Sequence, residues 1–164
     1  GWVIRMPRAR TLTTFYDTGN RYILCKNTRS CAAVMAYTPE QRRLYLDMID
    51  RVGQRWLTLF RGDAEMYSAA YWDLLTALWR HGAPMRKTDA LAAMHGIRSA
   101  HTAGKYVEAA IARGLVVEED NPKDARSKVL RLSDETHERL DAFFDEAVDD
   151  LLAAASRVPG ADSR

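Results

Sequence analysis

Cysteine is nearly missing from this sequence: Cys25 and Cys31 are the only two in 164 residues. They lack the paired Cys and His spacing of a zinc site. The four histidines, His81, His95, His101 and His137, are scattered, and none has a second ligand at metal-binding spacing. There is no glycine-rich phosphate loop, nucleophile elbow or Cys–His signature, and acidic pairs such as Asp149-Asp150 read as the solvated face of a helix. No enzyme, cofactor or metal is therefore expected. No apolar run approaches the ~18–20 residues of a membrane span, and no apolar block follows the N-terminal arginines to make a signal peptide. The expectation is a cytoplasmic protein with reduced thiols and no membrane partner.

What is present is enough apolar material for a core. The hydrophobic fraction is 47%, ordinary for a globular chain, and the length fits one domain. The net charge of +2 conceals a segregation. Residues 1–37 set six basic side chains against Asp17 alone, residues 86–131 set nine against six acids, and residues 132–164 set three against nine. Such polarity attracts a polyanion at one end and repels it at the other.

Residues 1–37 read as a basic N-terminal arm or leader, with a small hairpin around "DTGN" in "TLTTFYDTGNRYILCKN". The chain opens on Gly1, and Met35 of "MAYTPEQ" is the expected start of the folded part. Thr38, Pro39 and Gln41 form a capping-box signature. Behind them Tyr45, Met48, Ile49, Val52, Trp56, Leu59 and Phe60 recur at helical steps up to Gly62. A second helix carries Met66, Tyr71, Trp72, Leu75, Leu78 and Trp79 and stops at His81-Gly82, with Pro84 enforcing a break.

Two shorter helices follow, one ending at Gly96 and one running from about His101 to Arg113 and closing on Gly114. Ala103, Val107, Ala110 and Ile111 form the inward stripe of the second, whose outward positions are small or polar. The pair reads either as a helix-turn-helix or as an ordinary helical hairpin. A hairpin over "EEDNPKDARSKVLRLSDE" comes next, and Ser133 then caps a long amphipathic helix. The apolar stripe of that helix, Leu140 to Ala155, suits a dimer interface or packing on the chain's own first helix, and both are expected.

In this order, "AYWDLLTALWRHGAPMRKTDALAAMHGI" and "VEAAIARGLVVEEDNPKDARSKVLRLSDET" resemble the winged helix-turn-helix of the multiple-antibiotic-resistance regulator (MarR) family. The most specific segment is the hairpin: Gly114-Leu115-Val116, Pro122 at the tip, Asp124-Ala125-Arg126-Ser127, then Leu132-Ser133. The resemblance spans about residues 40–152. It implies a mainly α fold with a small β-hairpin wing, a winged helix-turn-helix flanked by N- and C-terminal dimerisation helices. Residues 38–157 would be the folded domain, with dimerisation helices at 38–62 and 133–157, a DNA-binding lobe at 64–132 and a tail at 158–164.

The resemblance further implies a homodimer that binds double-stranded DNA as a transcriptional repressor. Ser99, His101, Thr102 and Lys105 would meet base edges, Arg98 or Lys128 phosphates, and Arg126 the minor groove, with Asp124 holding that arginine or the loop by an ion pair. Half-sites would lie about one helical turn apart. The family also binds small aromatic effectors, and Trp56, Phe60, Tyr67, Tyr71 and Trp72 are the candidate pocket, although aromatics at helical spacing more often form core. A thiol switch at Cys25 or Cys31 is a further reading.

Three departures stand out. Glu118 and Glu119 replace frequent arginines, the turn "GIRSAHTAGK" is one residue longer than usual, which leaves the contact register open by one position, and the sequence ends soon after "RVPG", where the family usually has a further helix. The acidic strand keeps a rival reading open: a winged-helix dimer acting through protein contacts, as an antirepressor or scaffold, without DNA.

Overall fold

The computed structural model describes residues 13–16, 22–25 and 37–158. Residues 1–12, 17–21 and 26–36, which make up most of the expected basic arm, lie outside the described residues, as do residues 159–164. The Cys25 side chain and the whole of Cys31 are outside them too, and with them the thiol reading. The chain divides into two compact units, Gly1–Met48 with Ala154–Arg164, and Ile49–Ala153.

In the first unit, β1 (Thr13–Tyr16) and β2 (Tyr22–Cys25) pair antiparallel, with Thr13 opposite Cys25 and Tyr16 opposite Tyr22. Helix α1 (Pro39–Leu59) starts here on a reciprocal capping box. Gln41 donates its backbone N–H to Thr38 Oγ1 at 3.2 Å, and Thr38 donates its own to Gln41 Oε1 at 2.9 Å.

The second unit opens with the remainder of α1. The chain then reverses through Arg61 and Gly62, both in the left-handed region at φ 56° and 79°. Gly62 accepts this conformation without penalty, whereas Arg61 is strained. A 3₁₀ turn, Ala64–Met66, is capped by Asp63, and α2 (Ala69–His81) is capped by Ser68 and closed by Gly82 at φ 66°. After Pro84 come β3 (Met85–Arg86) and α3 (Lys87–Ala93). The helix α4 (Ala100–Ala112), with Ser99 as its cap, leads through Gly114 at φ 71° into β4 (Val116–Asp120) and β5 (Lys128–Leu132), and α5 (Asp134–Ser156) follows.

Three boundaries differ from the sequence expectation, and the first is that of α1, which ends at Leu59 rather than Gly62. Pro84 does more than break a helix, because the extended residues after it pair with β5, Met85 opposite Leu130 and Arg86 opposite Val129. The sheet is thus three-stranded and antiparallel, in the order β3-β5-β4. A two-residue strand has no alternation to betray it. Helix α3 ends at Ala93 rather than Gly96, since Met94 leaves the helix at ψ 76° and the His95 N–H turns to Asp73 Oδ2 at 3.2 Å.

The core of this unit sits where α2, α3, α4 and the sheet meet. Leu74, Leu75, Ala90, Val107, Ala110, Leu130 and Leu140 are completely buried. Trp56 closes one end, with ring centroids 4.9 Å from Phe60 and Trp72 and 5.4 Å from Phe143. Its indole N–H donates to the Met66 carbonyl at 2.8 Å, so the one polar atom of the ring is satisfied. Arg51 and Arg55 of α1 both reach Asp150 of α5, at 3.3 and 2.7 Å, and Arg55 also pairs with Glu146. The hydrogen bond from Arg55 holds the Asp150 carboxyl below the usual carboxylate range.

The apolar stripe of α5 splits along its length. Leu140 and Phe143 are buried, whereas Val148, Leu151 and Leu152 are 52%, 52% and 62% exposed.

Candidate nucleic-acid interface

The helix-turn-helix is built on α3 and α4. Met94 and Ile97 pin the turn between them: Met94 is buried, Ile97 half-buried, and the Ile97 N–H reaches the Met94 carbonyl at 2.9 Å. The inward stripe of α4 is Ala103, Val107 and Ala110, while Ile111 is only half-buried. Small residues on that stripe let α4 lie close on the core and turn its opposite face outward. Arg98, Ser99, His101, Thr102 and Lys105 are all exposed on that side. Ser99 has a second task, since its hydroxyl accepts the Thr102 N–H at 3.4 Å as the helix cap.

The wing owes its shape to a tip that is tied to itself. Asn121 is buried, donates its backbone N–H to the Ser127 carbonyl at 3.1 Å and its side-chain amide to Ser127 Oγ at 2.8 Å. Its own side-chain oxygen takes the Lys123 N–H at 3.0 Å. Asp124 Oδ1 accepts the Arg126 backbone N–H at 3.1 Å, and Ser127 Oγ donates to the Asp124 carbonyl at the same distance. Two short polar side chains thereby hold the tip, each bonding backbone two residues ahead. Asp124 holds the loop in this way and makes no ion pair with Arg126, which corrects the sequence expectation. The guanidinium of Arg126 and the ammonium of Lys123 are left outward and exposed. Asn121 escaped the sequence reading as a wing-supporting residue, although the Asn-Pro step before a turn was the signal that pointed to it, and Ser127 was read only as part of the hairpin motif.

The acidic strand is paired residue by residue. Lys87 Nζ lies 2.6 Å from Glu118, Arg131 Nε 2.8 Å from Glu119, and Lys128 pairs with Asp120 directly opposite it. Arg131 also donates to Asp134 and to the Leu132 carbonyl, both at 3.1 Å. The hydrogen bond within the Asp120–Lys128 pair lowers the carboxyl and raises the ammonium from their ordinary values. Lys128, expected on phosphate, is therefore exposed but engaged. Among the described residues no ion pair is made by Arg86, Arg98, Lys105, Lys123 or Arg126.

The aromatic residues divide. Trp56, Tyr67 and Trp72 line a cleft of about 320 Å³ with Ile49, Val52, Gly53, Ser68 and Ala69. Tyr67 crosses the surface of α1 at Gly53, where a Cβ would meet its hydroxyl at 3.0 Å. Phe60 and Tyr71 take no part in this cleft. Tyr71 is buried in the core, 5.3 Å from the Tyr106 ring, and accepts from Arg113 at 3.5 Å. Phe60 faces a separate hollow with Met66 and Arg139. Helical spacing put all five on neighbouring turns, but the packing partners decide which of them open outward.

Solved structures of similar fold include the S. aureus MepR–DNA complex, 17% identical, covering 69% of this chain and 86% of that one with a TM-score of 0.52. S. aureus MepR bound to ethidium bromide is 17% identical over 74% and 84%, with a TM-score of 0.54. Transcriptional regulator Tm0710 from Thermotoga maritima is 18% identical over 73% and 80%, with a TM-score of 0.51. The fold is the winged helix of MarR-like regulators. In that MarR-like frame, α3 and α4 are the helix-turn-helix, and β4 and β5 are the wing. The sequence matches no family profile and no curated protein. Among the described residues no group of His, Cys, Asp and Glu is placed to hold a metal ion, and no helix is long and apolar enough to cross a membrane.

Proposed function

We propose that this chain is a dimeric, sequence-specific DNA-binding transcriptional regulator, acting as a repressor and answering to a small ligand. The observation that carries the reading is the wing tip. Its backbone is fixed by Asn121, Asp124 and Ser127, and what it presents outward is the cations Arg126 and Lys123. On the same unit, α4 exposes polar side chains at its N-terminal end, the end that meets base edges in helix-turn-helix proteins. In this reading Ser99, His101, Thr102 and Lys105 meet bases, Arg98 a phosphate, and Arg126 a narrow minor groove, where the negative potential is greatest.

Residues 38–62 and 133–157 then act as dimerisation helices around a DNA-binding lobe at 64–132. Two copies would read half-sites about one helical turn apart. Selection from a pool of random duplexes at two salt concentrations tests the assignment. A pseudo-palindrome should be enriched, with affinity falling steeply as salt rises. Arg126→Ala should lower affinity by ~1–3 kcal/mol, roughly 5- to 150-fold. Retention of no DNA even at low salt would leave the rival, a protein-binding dimer, as the better reading.

The cleft at Trp56, Tyr67 and Trp72 is the proposed effector site. It has no charged side chain in its lining, so a carboxylate entering it would lose hydration without a partner. Aromatic faces attract cations. The ligand class it fits is a planar aromatic that is neutral or positive, and the ethidium complex of MepR supports that choice. A planar aromatic cation should quench the tryptophan fluorescence saturably, and salicylate at equal concentration should not. Equal quenching by both would remove the charge preference.

A further inference from the structure

We infer that Glu118, Glu119 and Asp120 are built-in counterions of the wing, competing with DNA phosphate for Lys87, Arg131 and Lys128 and so lowering both affinity and its salt dependence. The inference rests on the DNA-binding reading given above. It goes beyond that reading by separating the wing's cations into two sets. Arg126 and Lys123 at the tip are without an ion pair among the described residues, while Lys128 and Arg131 of β5 and Lys87 at the start of α3 each have a carboxylate of β4 as partner.

The geometry favours competition over a purely structural role. All three pairs are at least partly open to solvent, with Asp120 80% and Lys128 50% exposed, and such pairs add little to stability. Their loss therefore costs the fold little. β4 is an edge strand, and charge on an edge discourages pairing with another sheet. Lysine serves that purpose as well as glutamate does, so edge protection gives no reason for three consecutive acids.

For DNA the sign matters. A free cation that meets a phosphate releases the phosphate's condensed counterion, which produces the salt dependence of binding. A cation taken from a carboxylate leaves that carboxylate to bind a salt cation in turn. The net release is then close to nothing, and the bare carboxylate stands beside the polyanion.

The three pairs are not equivalent. Arg131 keeps Asp134 and the Leu132 carbonyl when Glu119 is neutralised, so Lys87 and Lys128 are the cations that become available.

The test is a salt titration of binding to a mixed-sequence duplex by fluorescence anisotropy, wild type beside Glu118→Gln/Glu119→Gln/Asp120→Asn. The triple variant should bind about tenfold or more tighter at low salt. Its log–log slope should steepen by roughly 0.9 for each of Lys87 and Lys128. The same three changes on a Lys87→Gln/Lys128→Gln/Arg131→Gln background decide the mechanism. Loss of the gain there supports competition for those cations. An undiminished gain means simple relief of repulsion and overturns the inference, as does an unchanged slope in a wild type that binds. If neither wild type nor the triple variant binds at low salt while both melt normally, the DNA-binding reading falls and this inference falls with it.

Discussion

Leu130→Ala should lower the stability of the second unit by about 2–5 kcal/mol, a large part of the ~5–15 kcal/mol that holds a typical domain folded. Leu130 is completely buried on β5, the central strand, with Met85 of β3 on one side and Glu118 of β4 on the other. Truncation removes three carbons from a site closed by strands on both flanks, where collapse of the cavity is hindered and the cost lies toward the upper end. The check is urea denaturation: the midpoint should fall and the slope should not change. A loss under about 1 kcal/mol would mean that the sheet is not packed as described. Both strands of the wing pass through this register. Amide exchange at Asn121 and Ser127 should therefore quicken in the variant although their own bonds are untouched.

That dependence shows what was readable beforehand. The local signals were legible because they act within a few residues. Thr38 with Gln41, Ser133 and the glycines at 62, 82 and 114 mark helix ends by chemistry that needs no tertiary partner. The buried stripe of α4 and the existence of the wing hairpin were legible for the same reason, since each is a period within one segment. What escaped was long-range. Lys87 and Glu118 are 31 residues apart, and only the docking of β3 beside β5 brings them together. Sequence reading placed Glu118 and Glu119 on the wing as bare negative charge, and it is the fold that supplies their cations. The aromatic group was divided by the same cause. Trp56, Tyr67 and Trp72 border open space and Tyr71 does not, because α4 and Arg113 cover Tyr71.

The other large effect is expected at α5. In the proposed dimer, Val148→Glu with Leu152→Glu should separate the two copies into monomers, read by sedimentation at micromolar concentration. Val148, Leu151 and Leu152 lie three and four residues apart on one face of the helix, and each is more than half exposed. On the same helix Leu140 and Phe143 are buried, so the stripe continues from a packed core onto an uncovered surface. An exposed apolar stripe continuous with the core is a surface on which a partner can pack, and a second copy of the same stripe is self-complementary about a two-fold axis. Two glutamates placed there would face their own symmetry mates, adding like-charge repulsion to lost apolar burial. The double variant should keep its helical content, because neither side chain belongs to the core of its own chain, while its melting temperature falls by the part that association supplied. Its DNA binding should nevertheless collapse. A lobe that has lost its twin meets the second half-site only by diffusion, and avidity gains of ~10²–10⁴ vanish with the link. A wild type that sediments as a monomer would refute the dimer directly. A monomeric variant with unchanged DNA affinity would instead show that one lobe suffices for binding, and that α5 serves some other association.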